Sequence, residues 1–382
     1  MPVSITKTVS VVGGLAVLMA GGGFLFFRHE KDQAAGTPGT LSDEEVRSAF
    51  EEFALTHQRE YKSDLERKLR LEIFRSNLEY IKARNAQNLN FKLAVNQFAD
   101  MKEEEVLGTG GCLRDFLGSA QIETAEELRG RDPSEFPETF DWSEAGCVTP
   151  VKNQGQCGSC WAFSTTGAVE GALCVAGKET TPLSEQELVD CSGKYGNLGC
   201  NGGTMDRALQ YIQDNGGICT EASYPYIARK SWIKGCQAKK CKRGATIESW
   251  KQVPEDDEGA MLAALHDHGP LSVALDAEGR DFMYYHSGVL DGKCGTELDH
   301  AVLITGYGND AKSGEDYWLV KNSWGKTWGD KGYLKVFRNK GKEGECGIAM
   351  EPFYAVVKKE KQETDAVEEI QRLSEALFPE EI

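Results

Sequence analysis

The sequence predicts an α+β fold in which a helical lobe precedes a sheet lobe. Within residues 137–357, apolar residues recur mostly at helical spacing in the first half, whereas the second half holds strand-like runs bounded by glycines. These runs read SVALD, AVLITGYG, YWLVKNSW and GYLKVF. The same range contains eleven of the twelve cysteines and all seven tryptophans. We therefore expect one compact unit that holds the crosslinks, the largest side chains and the function.

Composition and charge exclude several classes of protein. The 382 residues are 40% hydrophobic and 27% charged, which is typical of a globular protein. The net charge of −17 argues against nucleic acid or an acidic lipid surface as the main partner. Twelve cysteines behind an apolar N-terminal run indicate an oxidising compartment, where thiols persist as disulfides.

The apolar run covers residues 9–27 and reads VSVVGGLAVLMAGGGFLFF, without a charge. A stretch of ~20 apolar residues suits a membrane-spanning helix, whereas a cleavable signal peptide has a shorter apolar stretch and a small-residue cleavage site. No such site precedes Arg28. The pattern favours an uncleaved signal-anchor over a long signal peptide, and it predicts membrane attachment through residues 9–27.

The rest of the chain divides by composition. Ser42 and Glu45 have the spacing of a capping box, which predicts the start of a helical region. Later, the Gly, Arg, Glu and Pro content of a second stretch indicates a linker that is a candidate cleavage site. The predicted segments are 1–27 (anchor or signal peptide), 28–41 (linker), 42–107 (helical), 108–136 (second linker), 137–357 (functional unit) and 358–382 (acidic extension).

The strongest chemical signal is QCGSCWAFS at residues 156–164, which precedes a helical run. A cysteine at a helix N-terminus has a lowered pKa, because the helix dipole and the unpaired backbone N–H groups stabilise its thiolate. Two cysteines three positions apart also suit a redox pair or half of a zinc site. The remaining cysteines are scattered singly and no strand-like run precedes Cys157, which disfavours both alternatives.

Together with LDHAV at residues 298–302 and KNSWG at residues 321–325, this stretch resembles the papain family of cysteine peptidases. The resemblance implies a papain-like two-lobed fold with a helical left lobe, a β-barrel-like right lobe and the active-site cleft between them. It implies acyl transfer through a thioester, with a resting thiolate–imidazolium pair. The implied roles are Cys160 as nucleophile, His300 as its partner, Asn322 as the residue that orients the imidazole, Gln154 as an oxyanion-hole donor beside the Cys160 backbone N–H, and Trp324 as a shield from water.

The resemblance also implies a disulfide pattern. It sets Cys160 aside as the free nucleophile, and Cys112 lies before the functional unit. The pairs from the family pattern are Cys157–Cys200, Cys191–Cys236 and Cys294–Cys346, and the falcipain-type branch suggests Cys219–Cys241. By elimination, Cys147 pairs with Cys174.

Residues 66–100 resemble the inhibitory propeptide of the cathepsin L-like branch. An ordinary charged amphipathic helix is the alternative interpretation. The resemblance implies a zymogen whose own propeptide is an intramolecular inhibitor, with activation by cleavage between Gly108 and Pro137 under acid conditions. The matching residues are Glu66, Arg70, Phe74, Asn77, Ile81, Asn85, Asn96, Phe98 and Asp100.

Substrate preference is expected from residues that align with the family's cleft. Gly202 and Gly203 match glycines whose backbone pairs with an extended substrate. An apolar S2 pocket favours Leu or Phe at P2. Glu351 at the floor of this pocket would also accept Arg at P2 by forming an ion pair with it. The alternative is that Glu351 faces solvent. The remaining expected substrate-binding residues are Met205, Ala274 and Leu298 as S2 walls, together with Gly158, Asp299 and Trp324.

The sequence thus predicts a monomeric cysteine endopeptidase that acts on proteins or peptides without a metal or other cofactor. We expect it in a lysosome-like or vacuolar acidic compartment reached through the secretory pathway, with secretion as the alternative. Two other functions compete with this one. A thiol oxidoreductase would use Cys157 and Cys160, and a non-catalytic binding homologue would normally have lost Cys160 or His300.

Overall fold

The computed structural model describes residues 41–107, 122–231 and 235–358. The predicted anchor at residues 9–27, residues 108–121 of the second linker (with Cys112) and the acidic extension from residue 359 lie outside the described residues. Within the described ranges, we find no helix with both the length and the apolar character needed to cross a bilayer.

The described residues form eight α-helices and eleven short strands. The helices are Asp43–Thr56 (α1), Asp64–Asn85 (α2), Glu103–Leu107 (α3), Cys160–Val175 (α4), Glu185–Cys191 (α5), Met205–Asp214 (α6), Glu258–His268 (α7) and Arg280–Met283 (α8). The strands are Phe91–Leu93 (β1), Phe140–Asp141 (β2), Ile218–Cys219 (β3), Arg243–Ala245 (β4), Ser249–Gln252 (β5), Leu271–Leu275 (β6), Tyr285–Leu290 (β7), His300–Asn309 (β8), Asp316–Lys321 (β9), Tyr333–Phe337 (β10) and Phe353–Val356 (β11).

The predicted capping box opens α1. The Ser42 backbone N–H donates to Glu45 Oε2 at 2.8 Å, and the Glu45 N–H donates to Ser42 Oγ at 3.3 Å. These two bonds satisfy backbone donors that an α-helix leaves without partners at its first turn. The apolar side of α1 then packs Phe50 against Phe74 of α2, edge to face, with ring centroids 5.4 Å apart.

The propeptide motif holds α2 against the segment that follows it. Phe74 and Ile81 are buried. Asn77 Nδ2 donates to the carbonyl oxygen of Ala99 at 3.0 Å, and Asn85 exchanges two hydrogen bonds with the backbone of Leu93 at 2.7 and 2.9 Å. The two asparagines thus satisfy buried backbone groups of the returning chain, which would be costly to leave unpaired.

The charged members of the motif fix the end of the propeptide. Both Arg70 terminal nitrogens donate to the Glu105 carboxylate, at 2.7 and 2.8 Å. Asp100 accepts from the Tyr61 hydroxyl at 3.0 Å and pairs with Arg59 at 3.0 Å. These bonds lock the residues after β1 onto the two long helices, so the propeptide presents one fixed surface.

Helix α4 runs through the centre of the helical lobe and is buried from Cys160 to Leu173. Two glycines allow its close packing against the sheet lobe. A Cβ at Gly171 would lie 2.3 Å from Pro270 Cδ, and one at Gly167 would lie 2.7 Å from Leu303 Cδ2. These small residues therefore let β8 approach α4 and bring the ends of the two elements together.

The main sheet follows the order β1-β7-β10-β9-β8-β6-β11-β5, with β2 paired to β8. Strand β8 lies between β6 and β9, and its first residue, His300, is opposite Leu275. The path begins at the propeptide strand β1 and ends at β5. The described strands therefore form an open path, so the α+β, papain-like fold is as predicted but the sheet lobe is not a closed barrel. Strand β7 lies between β10 and the propeptide strand β1.

The five predicted disulfides are confirmed. They are Cys147–Cys174, Cys157–Cys200, Cys191–Cys236, Cys219–Cys241 and Cys294–Cys346. Each closes a loop of the unit that contains α4 to β11, and crosslinks of this kind stabilise the fold by restricting the unfolded chain.

Candidate active site

Cys160 and His300 meet where the two lobes join. Cys160 is the first residue of α4 and His300 is the first residue of β8. The backbone N–H of Ala301 donates to Cys160 Sγ at 3.2 Å. Cys160 is 0% exposed and His300 1% exposed. The structure therefore brings the predicted nucleophile and its predicted partner side by side.

Asn322 fixes the orientation of the imidazole. It directly follows β9, and its Oδ1 lies 2.9 Å from His300 Nε2. An amide oxygen can only accept a hydrogen bond, so Nε2 carries the proton and Nδ1 is the nitrogen that can exchange a proton with the thiol. The Trp324 ring lies 4.8 Å from the imidazole centroid. This packing matches the shielding role that the resemblance implies.

Cys160 does not carry a free thiol in this structure, which corrects the expectation of a free nucleophile. It is disulfide-bonded, and no described cysteine is free. The ten other described cysteines pair with one another. The remaining cysteine of the sequence, Cys112, lies outside the described residues. Because the thiolate is the nucleophilic form of cysteine, Cys160 must be reduced before it can react.

His300 is neutral in this form of the protein. Burial lowers its pKa to about 4, and the hydrogen bond to Asn322 opposes this shift only in part. The predicted thiolate–imidazolium pair needs a negative sulfur beside the ring. A sulfur in a disulfide has no such charge, so it does not offset the burial of an imidazolium.

Gln154 lies on the loop that precedes α4, next to the start of that helix. Its Nε2 donates to the carbonyl oxygen of Cys157 at 3.0 Å, and its Oε1 accepts from Ser323 Oγ at 2.7 Å. Its backbone N–H donates to the Ser323 carbonyl oxygen at 2.9 Å. These hydrogen bonds fix the Gln154 carboxamide beside the N-terminus of α4, an arrangement suited to stabilising an oxyanion.

The predicted S2 walls share one apolar cluster with the nucleophile. Met205, Ala274 and Leu298 pack in the same cluster as Cys160. Ala274 lies opposite Ala301 in the β6–β8 pairing, which explains how two distant segments meet there. Glu351 is half-buried and precedes β11. Met205 and Ala274 thus belong to the buried cluster that contains Cys160, and Leu298 packs against that cluster.

The other predicted substrate-binding residues have clear structural roles. Gly202 has φ +106°, in the region that favours glycine, and a Cβ at Gly203 would lie 2.7 Å from Trp161. The Gly158 N–H donates to the Cys200 carbonyl oxygen at 3.0 Å. Asp299 accepts from the Ala277 N–H at 2.8 Å, and burial raises its pKa to about 7. Asp299 therefore stabilises the turn after β6.

A buried charge network beneath the site was not predicted from the sequence. Lys152 Nζ lies 2.9 Å from Glu170 Oε1 and 2.5 Å from Glu185 Oε1. Lys321, which directly precedes Asn322, donates to Thr149 Oγ1 at 3.2 Å. Burial raises the pKa of Glu185 to about 7 and lowers that of Lys321 to about 8. The signal available in the sequence was one glutamate within the otherwise uncharged run CWAFSTTGAVEGALCV of α4.

The propeptide covers the wall of the site that contains Trp324. Strand β1 pairs antiparallel with β7, and Phe98 contacts the Trp324 ring edge to face at 5.1 Å. Gln97 Nε2 donates to the Trp324 carbonyl oxygen at 2.9 Å, and Asn96 Nδ2 donates to that of Met283 at 2.8 Å. The second part of the propeptide motif therefore contacts the peptidase unit directly.

A buried ion pair anchors the propeptide to the peptidase unit. Arg84 donates from Nε to Asp281 Oδ1 at 2.9 Å and from Nη2 to Oδ2 at 2.5 Å, and the Tyr80 hydroxyl donates to Oδ1 at 2.8 Å. Arg84 and Asp281 are 9% and 1% exposed. Burial alone would raise the pKa of Asp281, but these hydrogen bonds outweigh it and keep the pKa below its usual value.

Among the described residues, two cysteine–glutamate clusters have ligand atoms close enough for a metal ion. Their four cysteines are all in disulfides, so they offer no thiolate ligands. The clusters are Glu187, Cys219 and Cys241, and Cys294, Glu345 and Cys346. They are best explained as structural crosslinks.

Comparison with known proteins agrees with this geometry. Residues 136–356 match the family described as "Papain family cysteine protease", and residues 50–106 match "Cathepsin propeptide inhibitor domain (I29)". The chain belongs to the papain family of cysteine proteases. The protease is 44% identical over 330 residues to Cathepsin L1 of Drosophila melanogaster, which covers 82% of this chain and 85% of that protein. It is 43% identical over 339 residues to Probable cysteine protease RD21B of Arabidopsis thaliana, covering 86% and 71%.

Solved structures of proforms are also similar. Digestive procathepsin L2 proteinase from the larval midgut of Tenebrio molitor matches the protease with a TM-score of 0.74 at 37% identity, covering 82% of this chain and 100% of that one. The recombinant stem bromelain precursor matches with a TM-score of 0.72 at 36% identity, covering 82% and 99%. The protease is thus the procathepsin L-like zymogen of a cysteine endopeptidase, and the oxidoreductase and binding-homologue alternatives are not supported.

Proposed function

We propose that Cys160 performs the peptide hydrolysis once its disulfide has been reduced. The observation that carries the assignment is the contact chain from Cys160 Sγ to Ala301 and from His300 to Asn322. A reducing thiol breaks the disulfide and leaves Cys160 as a thiolate, and His300 takes up a proton to form the imidazolium. The charges of the two groups then stabilise each other.

The reaction proceeds by acyl transfer. Cys160 Sγ attacks the peptide carbonyl carbon, and the carbon–nitrogen bond breaks as His300 gives its proton to the leaving amine. Water then attacks the thioester, His300 takes the proton from that water, and the carbon–sulfur bond breaks to release the carboxylic acid and restore the thiolate. Gln154 Nε2 and the Cys160 backbone N–H donate to the oxyanion in both steps.

A direct test compares two activities of the processed, reduced enzyme. We expect hydrolysis of a fluorogenic peptide with Leu or Phe at P2, and no reduction of insulin disulfides above that of the buffer thiol. Disulfide reduction without peptide hydrolysis would contradict the proposal and favour a redox role for Cys157 and Cys160.

We further propose that Glu351 lets the S2 pocket accept Arg as well as apolar side chains. Its support is the apolar cluster of Met205, Ala274 and Leu298, together with the half-buried position of Glu351. Glu351→Ala is expected to lower kcat/KM for an Arg-P2 peptide by roughly tenfold, because the guanidinium loses its counter-charge, and to leave a Leu-P2 peptide nearly unchanged. Equal losses for both peptides would contradict the pocket role. Glu343→Ala, an exposed glutamate before the same segment, is the control.

Location is proposed from the crosslinks and the sequence. Five disulfides support passage through the secretory pathway to a lysosome-like or vacuolar compartment. The uncharged run at residues 9–27 supports membrane attachment of the precursor. Full-length protein expressed in cells should stay with membranes after carbonate washing, whereas a variant without residues 1–27 should not. Recovery of the full-length precursor in the medium would favour secretion.

A further inference from the structure

The hydroxyl of Tyr226 joins two residues that flank the oxyanion hole. It lies 2.8 Å from the backbone carbonyl oxygen of Gln154 and 2.6 Å from Ser159 Oγ. A carbonyl oxygen can only accept, so the tyrosine proton is donated to Gln154. Ser159 must then donate its own proton to the Tyr226 oxygen. The direction of both hydrogen bonds is therefore fixed by chemistry.

These two bonds connect the two sources of oxyanion-hole donors. Gln154 provides the side-chain donor, and Ser159 directly precedes Cys160, which provides the backbone donor. The Gln154 side chain already bonds to the segment before α4, because its Nε2 donates to the Cys157 carbonyl oxygen. The Tyr226 hydroxyl adds a second bridge on the main chain and thereby limits the separation of the two donors.

The conformation of Ser159 supports a role outside helix capping. Ser159 is the N-cap residue of α4, yet its side chain makes no capping hydrogen bond. A serine at this position normally accepts from the backbone N–H of the second or third helical residue. Here its hydroxyl bonds to Tyr226 instead. The Ser159 side chain therefore leaves the N–H groups of Cys160 and Trp161 uncapped, at the end of the helix that favours an anion. The Ala162 N–H donates to the Ser159 backbone carbonyl oxygen at 2.8 Å.

The tyrosine ring is itself held in place. Its edge-to-face contact with Phe163 has a centroid distance of 4.9 Å, and its backbone N–H donates to Glu221 Oε1 at 2.8 Å. Burial raises the pKa of the Tyr226 phenol. The hydroxyl therefore remains a protonated donor at every pH at which the enzyme can work.

We propose that Tyr226 is a positioning residue for the oxyanion hole. Its hydroxyl fixes the Gln154 main chain relative to the N-terminus of α4, so that both donors point at the same oxygen during acyl transfer. It does not touch the substrate or the reacting atoms. This inference rests on the proposed roles of Cys160 and Gln154.

The test is Tyr226→Phe in the processed, reduced enzyme, with active-site concentration set by epoxide titration. We expect kcat to fall roughly tenfold with KM unchanged, since the variant loosens a donor pair that acts on the transition state. Affinity for a peptide aldehyde should fall by a similar factor, because its adduct places an oxygen in the hole. The rate and pH profile of iodoacetamide alkylation should not change, because alkylation at sulfur forms no oxyanion.

Tyr224→Phe is the matched control, because it removes a hydroxyl two positions away in the sequence. The Tyr224 hydroxyl donates to Asp190 at 2.8 Å and does not bond to Gln154 or Ser159. This variant should behave as wild type. Wild-type kcat and aldehyde affinity in Tyr226→Phe would overturn the proposal, as would an equal loss of alkylation rate, which would indicate general disruption of Cys160.

A second variant keeps the proposal testable if Tyr226→Phe does not fold. Ser159→Ala removes the other end of the bridge and should reproduce the loss of kcat. The double variant should lose little more than either single one, because both remove the same bridge. Additive losses would overturn the proposal. If wild-type enzyme hydrolyses no peptide at all, the proposed function fails instead, and that result is independent of these variants.

Discussion

Cys160→Ser is expected to lower kcat/KM of the processed, reduced enzyme by about 10⁴-fold or more. A serine hydroxyl stays protonated beside His300, whereas the thiol ionises easily at a helix N-terminus next to an imidazole. The measurement is hydrolysis of a Leu-P2 fluorogenic peptide. Cys112→Ser is the control with the same chemical change, and it should retain full activity after processing because Cys112 precedes the peptidase unit.

A Cys160→Ser enzyme that keeps about a tenth of wild-type activity would show that another group is the nucleophile. A loss of activity in both variants would show that the serine substitutions act through folding. The two outcomes are separated by the thermal unfolding midpoint, which should be the same for the reduced wild-type enzyme and the Cys160→Ser enzyme.

Arg84→Met is expected to weaken inhibition by the propeptide by roughly 10²-fold, since breaking a buried ion pair costs about 3 kcal/mol. The Asp281 carboxylate, 1% exposed, would lose its guanidinium partner while remaining covered by the propeptide. The measurement is the rate at which an epoxide labels Cys160 in the uncleaved zymogen, under a reductant mild enough to leave the five structural disulfides intact.

Arg67→Met is the matched control on the same helix. Arg67 pairs with Glu51 within the propeptide, and both side chains are well exposed. Such exposed pairs contribute little to stability, so labelling should stay close to wild type. Equal labelling rates in Arg84→Met and Arg67→Met would contradict the role of Asp281 as the anchor.

The signs of two pKa shifts indicate which group responds to mild acid. The pKa of Asp281 is lowered from about 3.8, so the stability it contributes is present above that value and is lost only as pH falls through the lowered pKa. The pKa of His300 is lowered from 6.5 to about 4. The unfolded chain therefore takes up a proton on this histidine first, and the contribution of His300 to the stability of the folded protein is lost as pH falls from 6.5 towards 4. Of these two groups, His300 is the one that responds in the mildly acidic range.

Much of the site could be predicted because its residues lie in short sequence motifs, and the chemistry of the reaction explains why each motif needs those residue types. The helix start at Cys160, the strand start at His300 and the position of Asn322 after a strand were all visible as local patterns. The propeptide asparagines were predicted from the resemblance to the family's inhibitory propeptide, and the structure gives a physical reason for them: each satisfies backbone groups of the chain that returns after α2.

Other features depend on contacts between distant segments and left no local pattern. Lys152 approaches Glu170 and Glu185 only because the loop before α4 packs against α4 and the start of α5, 18 and 33 positions further along the chain. Tyr226 is bonded to Gln154 across 72 positions of sequence. Strand β1 pairs with the edge strand β7 of the peptidase unit, and strand periodicity cannot indicate such a pairing between the propeptide and the peptidase unit. The disulfide of Cys160 likewise could not be inferred from its motif, which is that of a free thiol.

Cys160 is proposed to be a nucleophile that is inactive in the zymogen and is released by reduction and propeptide removal. Titration with an epoxide thiol inhibitor, followed by mass spectrometry of the labelled peptide, tests this proposal. We expect one equivalent on Cys160 in the processed, reduced enzyme and almost none in the untreated zymogen, where Cys160 is disulfide-bonded. Absence of label on Cys160 after both reduction and processing would contradict the account.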